Sequence, residues 1–211
     1  MLNCSVWDFW ADKYEGLWVQ KYSLGPSRRE IIKELAPMLH AGRKYKVLDM
    51  GCGTGQLIRE LQRSFKGFDI EYTGVDISSK MIDRCKEQDK EASYLVSNID
   101  DFEAVPGEFD FIICSHSFPY YPDKSNAVER FHRLLKKDGV LFLVQASANS
   151  LYDHIAMFFV KFTTSKAEYL SIKGIRSLFQ RNFKEKNITL IKEKAYMPTI
   201  CMFLFKKEDG Q

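Results

Sequence analysis

The stretch of this chain best equipped for chemistry is Lys46-Val47-Leu48-Asp49-Met50-Gly51-Cys52-Gly53-Thr54-Gly55, with Asp76 downstream of it. Val47 and Leu48 read as a buried strand. Three glycines then turn the chain, and residues 56–65, with Leu57, Ile58 and Leu61 on one face, read as a helix. A strand–turn–helix unit of this kind directs backbone N–H groups at a ligand from a helix N-terminus. A second apolar run, residues 72–75, ends on Asp76, 21 residues beyond Gly55. An acidic residue at that distance, at the C-terminal end of a strand, suits a ribose diol, because a carboxylate accepts two hydroxyl protons.

A dinucleotide turn needs G-x-G-x-x-G, and its third glycine would fall where Gln56 stands. Here the glycines sit at 51, 53 and 55 behind the acidic Asp49. With Leu48-Asp49 before it and Gly74-Val75-Asp76-Ile77-Ser78 after it, this pattern resembles motif I of the class I S-adenosylmethionine (SAM) dependent methyltransferases. The likeness covers residues 45–146. It implies SAM as cofactor, with S-adenosylhomocysteine (SAH) as product. It places the methionine portion against Gly51 and Gly53, with Cys52 and Gly55 also at the cofactor, Asp49 at the floor and the ribose on Asp76. Ile77 and Met81 would lie near the adenine, Met81 being equally readable as a core residue. After strand 3 the family carries an acidic residue for the adenine amino group. The matching position is Asn98, followed by Ile99, while Asp100 or Asp101 would serve under a shifted register.

The loop after strand 4 reads Cys114-Ser115-His116-Ser117-Phe118-Pro119-Tyr120-Tyr121-Pro122-Asp123. In the family this loop runs beneath the methyl group, which puts Ser115 at the cofactor. Ser117-Phe118-Pro119-Tyr120 is superficially like the N/D/S-P-P-Y signature of amine-directed enzymes. It starts two residues late and lacks the first proline, which argues against a DNA-base or glutamine acceptor. With Arg130 to Gly139 following, the chain is more similar to the small-molecule branch, which includes the ubiquinone/menaquinone-type methyltransferases. His116 is the histidine placed beside the cofactor, as general base or as a hydrogen bonder shaping the pocket. Tyr120 and Tyr121 either line the acceptor pocket or cap the core, His154 opens a segment able to face the same pocket, and Tyr14 is a candidate to close over SAM.

The elements that must hold these residues alternate. Trp7, Trp10, Tyr14, Leu17 and Trp18 recur at helical spacing, predicting one amphipathic helix over residues 6–19. Gly25-Pro26-Ser27 breaks the chain, with Ser27 placed to cap a helix reaching Leu39. Strands are expected at 45–49, 71–76, 93–96, 109–114 and 140–145. Helices follow at 56–65, from Ser78 or Ser79 to about Asp89, and at 126–136. This alternation predicts a parallel sheet covered on both faces. Residues 188–192 and 199–205 form two strands joined too closely for a crossover helix, so that pair should be antiparallel. The expected fold is therefore α/β, a three-layer Rossmann-like class I methyltransferase fold. Its mostly parallel, seven-stranded sheet ends in an antiparallel C-terminal hairpin. The strand order 3-2-1-4-5-7-6 comes from the resemblance alone. Residues 1–211 read as one domain, with 1–42 a helical cap and the apolar 147–170 a lid-like insertion over the acceptor pocket or a patch for a dimer.

A chain of 211 residues with 45% hydrophobic and 28% charged residues fits one globular domain. Its net charge of +3 is scattered, so neither a nucleic acid nor a membrane partner is expected. Five cysteines and four histidines share no ligand spacing, which predicts no metal site, no disulfide framework and a reduced, cytoplasmic setting. The expected partner is a small-molecule substrate, with the chain a monomer or homodimer. The rival reading is a SAM-binding subunit without turnover, acting through a partner protein.

Overall fold

Apolar continuity and glycine turns produce the central elements. The computed structural model describes residues 4–147, 167–193 and 199–208. The main elements are α1 (Cys4–Trp10), α2 (Gly25–Leu35), β1 (Lys44–Met50), α3 (Gln56–Ser64), β2 (Asp69–Asp76), α4 (Ser79–Gln88), β3 (Ser93–Val96), β4 (Phe109–Ser115), α5 (Lys124–Leu134), β5 (Leu135–Ala146), α6 (Ile172–Phe179), β6 (Phe183–Ile191) and β7 (Ile200–Lys207). They build a seven-stranded sheet in the order β3-β2-β1-β4-β5-β7-β6. β1 to β5 run parallel, and β7 lies antiparallel to both β5 and β6. The expected class, order and hairpin are all present.

Two apolar layers cover the sheet. One packs α5 and α6 through Phe131, Ile175 and Phe179 against Leu141, Phe203 and Phe205, with Phe179 stacked on Phe205 at 4.5 Å. The other packs α2, α3 and α4 through Ile31, Leu35, Ile58 and Ile82 against Val47, Ile113 and Phe142. β1 pairs with β2 on one side and β4 on the other, so Asp49 lies opposite both Gly74 and Ile113. Strand order reverses there, and the crevice outside the strand C-termini is where open α/β sheets bind ligands.

The N-terminal region departs from its periodicity. Instead of one helix over 6–19, α1 stops at Trp10, a 3-10 turn spans Tyr14–Gly16 and a π turn spans Gln20–Leu24. Leaving the helix brings Tyr14 over the glycine turn and Glu15 onto Thr54 and Arg59. Tertiary contacts outweigh helical propensity in a segment this short. Ser27 does not cap α2 but lies inside it, its hydroxyl bonded to the Ser23 carbonyl at 2.9 Å. The α-helix ends at Leu35 rather than Leu39 and tightens into a 3-10 turn over Ala36–Met38, where Pro37 lacks the N–H that a further α-helical bond would need. Of the expected lid, 147–170, most lies outside the described residues, His154 included.

Candidate active site

The turn after β1 is fixed by backbone bonds and by conformations that glycine tolerates. Gly51 and Cys52 both donate to the Val75 carbonyl, at 2.7 and 3.0 Å. Gly51 (φ +86°) has no room for a side chain, because a Cβ there would sit 2.3 Å from the Ser117 Cβ. Gly53 (φ +54°) lies under the Tyr14 ring, 3.4 Å from where a Cβ would be. Asp76 closes the turn from β2: its Oδ2 accepts from the Gly53 N–H at 2.9 Å and its Oδ1 from the Ser78 N–H at 3.0 Å. Burial raises the Asp76 carboxyl above its ordinary range against the pull of those donors.

A cavity opens over this turn. Its floor is Gly51, Gly53, Asp76, Ile77, Met81, Asn98 and Ile99. The β4 loop supplies Ser115, His116, Ser117, Tyr120 and Tyr121, while Trp7 and Tyr14 close it from the N-terminal side. An annex sharing Tyr14, Gly51, Gly53 and Ser115 continues to Asp49, Arg28, Gln20 and Gln56. Burial, then the neighbouring Asp76, pushes the Asp49 carboxyl up to about 7. Arg28 donates to Glu60 and Gln20, each at 2.9 Å. The Gln56 amide oxygen in the annex is buried without a hydrogen-bond partner.

Three expected cofactor contacts have other geometry. Cys52 touches the annex, but its thiol points at β2, where a Cβ on Gly74 would meet it at 3.0 Å. Gly55 lines neither space. Its left-handed φ of +74° starts α3, and a Cβ would strike the Tyr94 hydroxyl at 2.9 Å and Cys85 at 3.0 Å, so its need is packing. Asn98 lies in the wall, yet its amide oxygen already accepts from the N–H groups of Asp100 and Asp101, at 2.8 and 2.9 Å. Asp100 and Asp101 are outside the wall. Met81 reconciles its two readings: it is 1% exposed and forms wall as well as core.

The β4 loop is braced onto β1. Ser117 donates to the Met50 carbonyl at 2.7 Å and lies 3.1 Å from both the Tyr121 hydroxyl and the Cys114 thiol. Tyr121 is therefore a brace as well as wall. Tyr120 meets Trp7 edge-on at 5.1 Å and its hydroxyl lies 3.4 Å from that of Tyr169. His116 takes the left-handed φ of +62°, with its N–H on the Val144 carbonyl at 2.7 Å. Its Nε2 lies 2.9 Å from Ser27 Oγ. Burial, then the charge of Arg28, lowers its pKa to about 4.

Sequence reading passed over Trp7, Arg28, Ser27 and Ser117. Arg28 had a signal: positions 28, 31 and 35 share the helix face that buries Ile31 and Leu35. Trp7 was assigned only to an aromatic stripe, and nothing in the local pattern pairs Ser27 with His116. Among the described residues no His/Cys/Asp/Glu cluster could hold a metal ion, and no helix is long and apolar enough to cross a membrane.

Residues 47–139 match the methyltransferase domain family model. A ubiquinone biosynthesis O-methyltransferase of Thiobacillus denitrificans is 30% identical over 134 residues, which are 61% of this chain and 54% of that protein. The chain thus spans about half the length of that relative. A chain of the complex between the Haloferax volcanii Trm112 methyltransferase activator and its methyltransferase superposes with a TM-score of 0.77 at 16% identity, covering 96% of this chain and 98% of its own. The N-methyltransferase NodS of Bradyrhizobium japonicum, in complex with SAH, gives 0.64 at 16% identity, covering 87% and 89%. The strand order, the turn at Gly51–Gly55 and the match over 47–139 agree: residues 47–139 match a methyltransferase domain, and the chain has the fold of, and is similar to, the class I SAM-dependent methyltransferases.

Proposed function

We propose that this chain transfers a methyl group from SAM to a small-molecule acceptor. The observation that carries the reading is the pairing of the Gly51–Gly53 cradle with the Asp76 carboxylate at the mouth of β1 and β2. SAM carries a sulfonium, an ammonium and a carboxylate. Asp49 suits a cationic group, Asp76 the ribose diol, and Arg28 in the annex the carboxylate. The orphaned Gln56 oxygen adds an acceptor where an ammonium would need one. A dinucleotide diphosphate at the glycine turn would instead face the Asp49 carboxyl group, which like-charge repulsion opposes. In each oxygen of Asp76 one lone pair holds a backbone N–H, leaving another for a ribose hydroxyl.

When bound, SAM supplies an electrophilic methyl group on a positively charged sulfur. The acceptor sits on the β4-loop side, between His116 and Tyr120, with Tyr121 and Ser117 holding the wall. Alignment of its nucleophilic atom at roughly 3–3.5 Å from the methyl carbon accounts for much of the expected rate. That atom forms the new bond to carbon, the methyl–sulfur electron pair stays with sulfur, and the acceptor's proton passes to the unprotonated nitrogen of His116 and then to water. The described residues of the 1–42 region act as the cap over this site.

The test is turnover. With methyl-labelled SAM and a panel of small phenols, amines and thiols, label should move to an acceptor with one SAH formed per methyl. His116→Asn should keep SAH affinity within about threefold and lower turnover on the order of 10²-fold, the usual worth of a general base. SAH binding with no label moved to any acceptor would favour a subunit without turnover.

A further inference from the structure

His116 and Ser27 stand 89 residues apart in sequence, yet Nε2 and Oγ are 2.9 Å apart. Ser27 is fully buried within α2. Its hydroxyl has a single hydrogen, and the Ser23 carbonyl, 2.9 Å away, takes it in the back-bond common to serines inside helices. A carbonyl oxygen cannot donate, so this bond uses the only proton Ser27 has. Toward His116 the serine is therefore an acceptor, and Nε2 carries the ring proton.

A neutral imidazole has one donor nitrogen and one acceptor nitrogen. With the proton fixed on Nε2, Nδ1 keeps its lone pair. Nδ1 has no hydrogen-bond partner among the described residues, and it belongs to a side chain that lines the cavity beside Ser115 and Tyr120. The left-handed backbone at His116, tied to Val144 and followed by the Ser117 brace, fixes where the ring starts.

We propose that Ser27 is a positioning residue that locks His116 as the Nε2–H tautomer, so that Nδ1 presents a bare lone pair to the acceptor and selects acceptors bearing an O–H or N–H donor. This rests on reading the cavity as a methyl-transfer site. The positioning half does not, because the tautomer is a property of the ligand-free protein. Burial beside Arg28 keeps the ring neutral at neutral pH, where the tautomer can be read.

The experiment is ring-nitrogen NMR of histidine-labelled protein at pH 7, with the His116 signals assigned by their absence in His116→Gln. Wild type should show a protonated-type shift at Nε2 and an unprotonated-type shift at Nδ1. Ser27→Ala should bring the two shifts toward each other. A protonated Nδ1 in wild type overturns the positioning role, even if Ser27→Ala does not fold; shifts unchanged in a folded Ser27→Ala overturn it too. Phenol should move the Nδ1 signal, and anisole, the same ring without a donor, should not. Equal responses to the two would overturn the donor requirement. Loss of methyl transfer to every acceptor with the tautomer as expected would instead sink the function reading and leave the Ser27–His116 lock standing.

Discussion

The floor and the roof of the cavity are built by different physics. The floor, from β1 through the glycine turn to the end of β2, is held by buried backbone bonds and by glycines at positive φ. The roof, residues 4–24, is held by side-chain pairs reaching distant sequence. Ser78 donates to Asp8 at 2.6 Å, Arg84 to Asp12, and both Thr54 and Arg59 to Glu15 at 2.8 and 2.7 Å. Asp12 is 69% and Glu15 37% exposed in their side chains, so solvent screens these pairs and each latches the roof only weakly. A rigid floor under a lightly latched roof would admit a ligand to the cavity without unfolding the sheet.

The floor should break hard. Gly51→Ala combines a left-handed backbone with a 2.3 Å clash and should cost on the order of 3 kcal/mol, abolishing SAH binding. Gly53→Ala has φ +54° but a Cβ no nearer than 3.4 Å, so about 1 kcal/mol is expected, read from urea midpoints. Equal losses would mean that Ser117 moves aside. Next comes Asp76→Ala, which strips two backbone N–H groups of their acceptor and should cost roughly 1–3 kcal/mol along with SAH affinity. Asp76→Asn, which keeps one carbonyl oxygen, should recover part of the stability. The roof should break softly: Glu15→Ala should cost under about 1 kcal/mol and speed SAH release in stopped-flow. A loss above about 2 kcal/mol would put the roof in the same class as the floor.

The floor and the β4 loop also set the pH dependence, and two groups bend it in opposite directions. Asp49, at about 7 folded against about 3.9 unfolded, stays protonated in the folded protein while the unfolded chain ionises. Its contribution therefore falls as pH rises from about 4 to 7, and Asp49→Asn should remove that slope. His116, at about 4 folded against about 6.5 unfolded, contributes above pH 6.5 and loses that contribution as pH falls toward 4. His116→Gln should flatten the acid side, measured by denaturant midpoints across pH 4–8.

This division also explains what could be read from the residues. The floor was legible because its constraints are local: three glycines, an apolar strand and an acid at a set spacing. The hairpin of β6 and β7 followed from connection length alone, whereas the full strand order came from family likeness. The roof was not legible. Aromatic periodicity over 6–19 suggested one helix, and only Glu15's pairs with Thr54 and Arg59, 39 and 44 residues away, show why the chain turns instead. Ser27, read as a cap, works through a partner 89 residues off, which no local pattern encodes.

The central claim is a SAM site anchored on Asp76. Thermal unfolding with SAH at about 100 times its Kd should add roughly 2.7 kcal/mol, on the order of 5–11 °C for a chain of this size. Wild type should shift with SAH and SAM and not with NAD, and Asp76→Ala should lose the shift. A shift with NAD, or an SAH shift unchanged in Asp76→Ala, would contradict the account.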